Sequence, residues 1–195
     1  MGNRGAAKRA LTHLSANRKG FSGGNAVVTA EASVAVASGP IFRGVSHLAL
    51  DAKGRVAIPA KYRDALTGAN PLADPAVAGG LVLTVDPSRC LLLYPRVAWE
   101  PIQARLMSLS SFNDQIRRLQ RLLVGYADDV ELDAAGRILV SPELRQYAGL
   151  GHRIVLVGQG NKFELWDEPR WQEQTAQTIT FAAGALPSEL DGFSL

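Results

Sequence analysis

Leu50-Asp51-Ala52-Lys53-Gly54-Arg55-Val56 is written twice in this chain, returning as Leu132-Asp133-Ala134-Ala135-Gly136-Arg137-Ile138. Leu, Asp, Ala, Gly and Arg keep their offsets, and the shift is 82 residues (133 − 51). Aliphatic runs follow both copies, Val56-Ala57-Ile58 and Ile138-Leu139-Val140, and a second arginine recurs as Arg63 and Arg145. Self-similarity at a fixed shift outranks local propensity as evidence of architecture. The chain is a tandem duplication of one small unit.

Locally each copy reads as strand, tight turn, strand. Val45, Leu48 and Leu50 before the first turn, and Val56 and Ile58 after it, have strand composition. An Asp-x-x-Gly centre suits a turn, because the carboxylate accepts backbone N–H groups and glycine takes φ > 0 without a Cβ clash. Arg55 leaves the turn within reach of Asp51, so a bidentate Asp–Arg clasp is expected, and Asp133 with Arg137 repeats it. Pro59 then suits an early helical position, while Ser141 and Pro142 read as N-cap and first helical residue.

The 195 residues are 47% hydrophobic, enough for one ordinary domain or two small units sharing a core. No apolar run approaches the roughly 20 residues that span a bilayer. The single cysteine, Cys90, excludes an intramolecular disulfide and Cys-based zinc clusters, and its apolar surroundings predict a buried packing residue. A net charge of +3 hides an uneven distribution. Residues 1–40 hold five cations against one acid, 41–127 eleven against six, and 128–195 five against eleven. The repeats are alike in pattern and opposite in charge, so a polyanion is expected to be drawn to the first alone.

Residues 1–40 are small and basic with little periodicity, and read as a disordered tail. A Gly/Pro/Ala-rich loop follows the first repeat's helix, from Thr67 to Gly80. Strands are predicted over Leu81–Val85 and Leu91–Tyr94, then over Arg153–Val157 and Lys162–Trp166 with a turn at Gly158-Gln159-Gly160-Asn161. Between the repeats, Trp99, Ile102, Leu106 and Leu109 mark one helix. Ile116, Leu119, Leu122 and Leu123 mark a second, capped near Ser110-Ser111, with Arg117, Arg118 and Arg121 facing outward. A last helix is predicted over Pro169–Ile179, and 184–195 reads as loose.

Phe42-Arg43-Gly44, the run from Leu50 to Pro59, Tyr62-Arg63 and the second Asp133–Arg137 copy together resemble the bacterial MraZ proteins, two-repeat members of the SpoVT/AbrB-like swapped-hairpin group. The likeness spans about 41–181. It implies a mixed α+β, mainly β fold: a pseudo-two-fold small β-barrel of two such repeats in one chain, with a helical hairpin between them. The divisions are then 1–40 as tail, 41–124 as the basic first repeat with the hairpin, 125–183 as the acidic second repeat, and 184–195 as a loose end. It further implies a cytoplasmic, nucleoid-associated transcriptional regulator. Such a protein assembles as a homo-oligomeric ring on double-stranded DNA, at repeated promoter boxes of the division and cell-wall gene cluster that contains its own gene.

The resemblance makes Arg55 a DNA-contacting arginine, and a guanidinium on a hairpin can meet phosphate or the O6/N7 edge of guanine. Lys53 sits at the turn tip where the second copy has Ala135, and Lys61 stands where the second has Glu143. Arg43, in the family's Phe-Arg-Gly start, and Arg63 on the following helix complete the expected DNA-binding set. Asp51, Gly54, Asp133, Gly136 and Arg137 are read as the structural turn clasp, and the DNA-facing role is given to the first copy alone. His13, His47 and His152 form no metal-spaced cluster, and no nucleophile-elbow or phosphate-loop pattern occurs, so no cofactor, metal or enzyme activity is expected. The competing reading is an antitoxin-like or scaffold protein-interaction module on the same fold.

Overall fold

A computed structural model describes residues 41–66 and 80–176. The basic tail 1–40, the loop 67–79 and the stretch 177–195 lie outside the described residues, and with them the readings made for those segments, the end of the last predicted helix included.

The central strands explain the longest apolar runs. Strands β3 (Leu81–Val85) and β4 (Leu91–Pro95) are buried along their whole length, because helices cover one face of their sheet and helices with a short ribbon cover the other. Alternation then splits them: Leu81, Leu83, Leu91 and Leu93 enter one apolar cluster, Val82, Leu92 and Tyr94 the other. Each fully buried aliphatic side chain contributes about 1.5–3 kcal/mol of transfer free energy. Cys90 is buried among the second set, as its surroundings predict.

The remaining elements are β1 (Phe42–Ala49), β2 (Arg55–Ala57), α1 (Ala60–Leu66), α2 (Arg96–Ser108), α3 (Asp114–Leu123), β5 (Asp128–Val130), β6 (Arg137–Leu139), α4 (Pro142–Ala148), β7 (Arg153–Gly160), β8 (Lys162–Asp167) and α5 (Glu168–Ala176). The fold is mixed, mainly strand, with a large antiparallel sheet in the order β1-β7-β8-β4-β3-β5 and a two-stranded ribbon, β2-β6.

In that order, the first strand of each repeat pairs with the hairpin of the other: β1 lies on β7, and β5 on β3. Replacing each strand by its counterpart in the other repeat and reading from the opposite edge returns the same order. The registers agree. Leu48 faces Ile154 and its counterpart Val130 faces Leu81; at the centre, Leu92 faces Glu164, and in the ribbon Val56 faces Ile138. Tyr62, on α1 of the first repeat, accordingly packs edge-to-face on Phe163 of the second and donates its hydroxyl to the Arg43 carbonyl.

Val45 lies in β1, as its composition predicts, and is 48% exposed on that edge strand. Several local readings shift. Gly158 and Gln159 belong to β7, paired with Gly44 and Arg43, so the β7–β8 turn shrinks to Gly160-Asn161. The cap of α3 is Asn113, whose side chain accepts from the amides of Gln115 and Ile116, not Ser110-Ser111. Ser141 does precede α4 with Pro142 in its first turn, without a side-chain capping bond. Leu109 lies just past the end of α2, and α3 buries no side chain fully. Its C-terminal end is anchored by Thr84, the one buried polar side chain among the described residues, which donates to the Leu123 carbonyl at 2.6 Å.

A candidate nucleic-acid interface on the two-stranded ribbon

The repeated heptads build one object. Each Asp51 and Asp133 carboxylate spreads its two oxygens over the turn in the same way. Oδ1 accepts the backbone amides two and four residues on, those of Lys53 and Arg55 in one copy and of Ala135 and Arg137 in the other. Oδ2 takes the guanidinium through both Nε and a terminal nitrogen, at 2.7–2.8 Å. The clasp is therefore two nitrogens on one oxygen rather than a fork-to-fork pair, because the backbone already occupies the other oxygen. The Arg55 amide and then its guanidinium hold Asp51 below the usual carboxylate range. The Arg137 guanidinium, followed by its amide, takes Asp133 down to about 2.

The turns also lock each other. The Val140 amide donates to the Gly54 carbonyl and the Ile58 amide to the Gly136 carbonyl, at 2.8 and 2.9 Å. Gly54 and Gly136 have φ of +79° and +72°, and a Cβ on either would meet the guanidinium of the opposite repeat's helix arginine, Arg145 or Arg63. Arg63 is half-buried there, its Nε donating to the Ile58 carbonyl at 2.8 Å.

Between these turns the ribbon has two faces. Val56 and Ile138 point inward and are fully buried. Alternation puts Arg55, Ala57, Arg137 and Leu139 on the outer face, with Leu139 56% exposed and Arg55 and Arg137 about a third exposed. Arg137 thus shares the outer face with Arg55, diagonally across the ribbon, a placement the sequence could not signal, since the β2–β6 pairing joins residues 80 to 84 positions apart. Lys53 is exposed at the adjoining turn tip. Arg43 and Lys61 gather elsewhere, around Tyr62: the Arg43 carbonyl accepts the Tyr62 hydroxyl, and Lys61 Nζ lies 4.6 Å from the ring centroid.

Strand exchange sets acids of the second repeat against basic groups of the first: Arg96 pairs with Asp129 at 3.0 Å, and Glu168 pairs with His47 of β1 as well as with Arg153 of its own repeat. Among the described residues no group of three or more His, Cys, Asp and Glu could hold a metal ion, and no helix is long and apolar enough to cross a membrane.

A duplicated unit whose halves exchange strands and present one clasped, arginine-bearing ribbon defines a tandem-repeat protein. The family described as "MraZ protein, putative antitoxin-like" matches residues 41–122 and 123–188, one match per repeat. Relatives named transcriptional regulator MraZ align over 155 residues, 80% of this chain and 100% of their own length. Identity is 56% in Methylobacillus flagellatus, 52% in Thiobacillus denitrificans and 55% in Nitrosospira multiformis. The chain belongs to the MraZ family.

Proposed function

We propose that this protein is a non-enzymatic, sequence-specific DNA-binding transcriptional regulator, and that the outer face of the β2–β6 ribbon meets the duplex. The observation that carries the reading is that Arg55 and Arg137 share that face, diagonal across the ribbon, with Lys53 exposed at the adjoining turn. A two-stranded ribbon fits the major groove, and arginine is the residue that reads guanine there. The clasp to Asp51 fixes the guanidinium before binding, which lowers the entropy lost on contact. Arg43 and Lys61 are proposed as backbone contacts that set register, and Arg63 as acting on DNA through the turn it holds. The names of the relatives support the regulatory role.

The finer reading goes with it. The two repeats, divided at about residue 124, form a small barrel about a pseudo-two-fold axis, supported by the strand order that reads the same from both edges. Several copies in a ring engage repeated boxes in the promoter of the division and cell-wall cluster, each adding a few phosphate contacts that avidity multiplies. The protein then works in the cytoplasm, at the nucleoid.

The test is binding to the DNA upstream of the protein's own gene. Affinity should fall steeply with salt as counterions are released. Arg55→Ala should weaken binding at least tenfold in protein that remains folded at the assay temperature. Unchanged affinity in Arg55→Ala, or binding indifferent to salt, would refute the ribbon as the DNA face and favour a protein-interaction module.

A further inference from the structure

The helical hairpin α2–α3 carries a surface that the DNA reading does not use. Phe112 in its connection is 96% exposed, with Met107 at 57%, Leu109 at 41% and Leu119 at 37%. The connection is itself well built. Asn113 caps α3, and Gln120 Nε2 donates to the carbonyls of Leu106 and Leu109, so these apolar groups are displayed by ordered backbone. Around them stand the exposed side chains of Arg105, Arg117, Arg118 and Arg121, and Asp114, paired with Arg117, is the one acid between 105 and 121. An apolar patch with a basic rim calls for an acidic, apolar occupant. Two such hairpins set tip to tip would press arginines together, which disfavours a symmetric contact between copies.

The chain contains a segment of that chemistry. Residues 177–195 hold Ile179, Phe181, Leu186, Leu190, Phe193 and Leu195 with Glu189 and Asp191, and no Lys, Arg or His. They follow α5, whose Trp171 packs in the same apolar cluster as Ile102 of α2 and Leu123 of α3. Nineteen residues reach at most about 65 Å when extended, against roughly 20 Å for the length of α2. We propose that residues 177–195 dock on the α2–α3 hairpin of the same chain. The apolar side chains cover Met107, Leu109 and Phe112, and Glu189 and Asp191 face Arg118 and Arg121.

The test uses the full chain with a photoreactive phenylalanine analogue in place of Phe112, in an equal mixture of isotopically light and heavy copies. Irradiation should give crosslinks that map within 177–195 and carry a single isotopic label. Leu190→Asp with Phe193→Asp, or Arg118→Glu with Arg121→Glu, should lower the yield at least fivefold with tryptophan emission unchanged. Crosslinks to the hairpin or folded body of a second copy, mixed-label crosslinks, no crosslink, or yields unmoved by these variants would overturn the proposal.

Discussion

Asp133 and Arg137 show what a single repeated residue does. Because Asp133 is held at about 2, its clasp stabilises the fold above the ordinary carboxylate range, and that contribution is lost as pH falls from about 4 toward 2. Asp51, also held low, acts in the same sense. Asp133→Asn should therefore flatten the acid limb of a melting-temperature profile over that window, and an acid limb identical to wild type would show that the clasp is not the titrating contact. The turn glycines give a graded case. Both have positive φ, a strain of roughly 1–3 kcal/mol for a non-glycine residue. A Cβ at Gly136 would overlap the Arg63 guanidinium, whereas at Gly54 it would lie 3.0 Å from Arg145 Cζ, and Arg63 is held in place by the Ile58 carbonyl. Gly136→Ala should accordingly lose more stability to urea than Gly54→Ala; equal losses would mean that Arg63 moves aside freely.

At the scale of elements, the helices that begin each second half carry inverted charges. Arg96 opens α2 and meets Asp129 of β5; Glu168, its counterpart 72 residues on, opens α5 and meets His47 of β1. His47 and Asp129 are themselves counterparts, 82 residues apart. Were β5 to pair with its own repeat's hairpin, Asp129 would be set against Glu168, and β1 doing the same would take His47 away from its carboxylate partner. The two clamps thus favour strand exchange between repeats and disfavour pairing within one, a use of like charge to reject the wrong partner. Exposed ion pairs contribute little each, on the order of 0.2–1 kcal/mol. Arg96→Glu and Glu168→Arg should each lower the melting temperature more than the corresponding alanine variants do, because they place like charges together; losses no larger than alanine's would remove charge selection from the account.

For the whole molecule, exchange makes the repeats one core: Tyr62 of the first packs edge-to-face on Phe163 of the second, and β5 of the second completes the sheet edge beside β3 of the first. Each half relies on the other to cover part of its apolar surface, so separating them at residue 124 should leave both halves unfolded. Assembly belongs to the same scale. Native mass measurement at physiological salt should give several subunits per particle, and a monomer there would end the ring proposal.

The sequence by itself determined the duplication, the Asp-x-x-Gly-Arg turns, the main strands and helices and the buried Cys90, since each is written in short-range pattern: an offset, an alternation, a turn residue. It misplaced the cap of α3, which is Asn113, and the β7–β8 turn, whose Gly158 and Gln159 are drawn into β7 by pairing with β1. It held no sign that Arg137 shares a face with Arg55. Only the tertiary structure decided that β2 pairs with β6 and that β1 and β5 cross to the opposite repeat. The physical reason is that backbone hydrogen bonds between strands far apart in sequence carry no sequence signature of their own, and those bonds set the two arginines on one face.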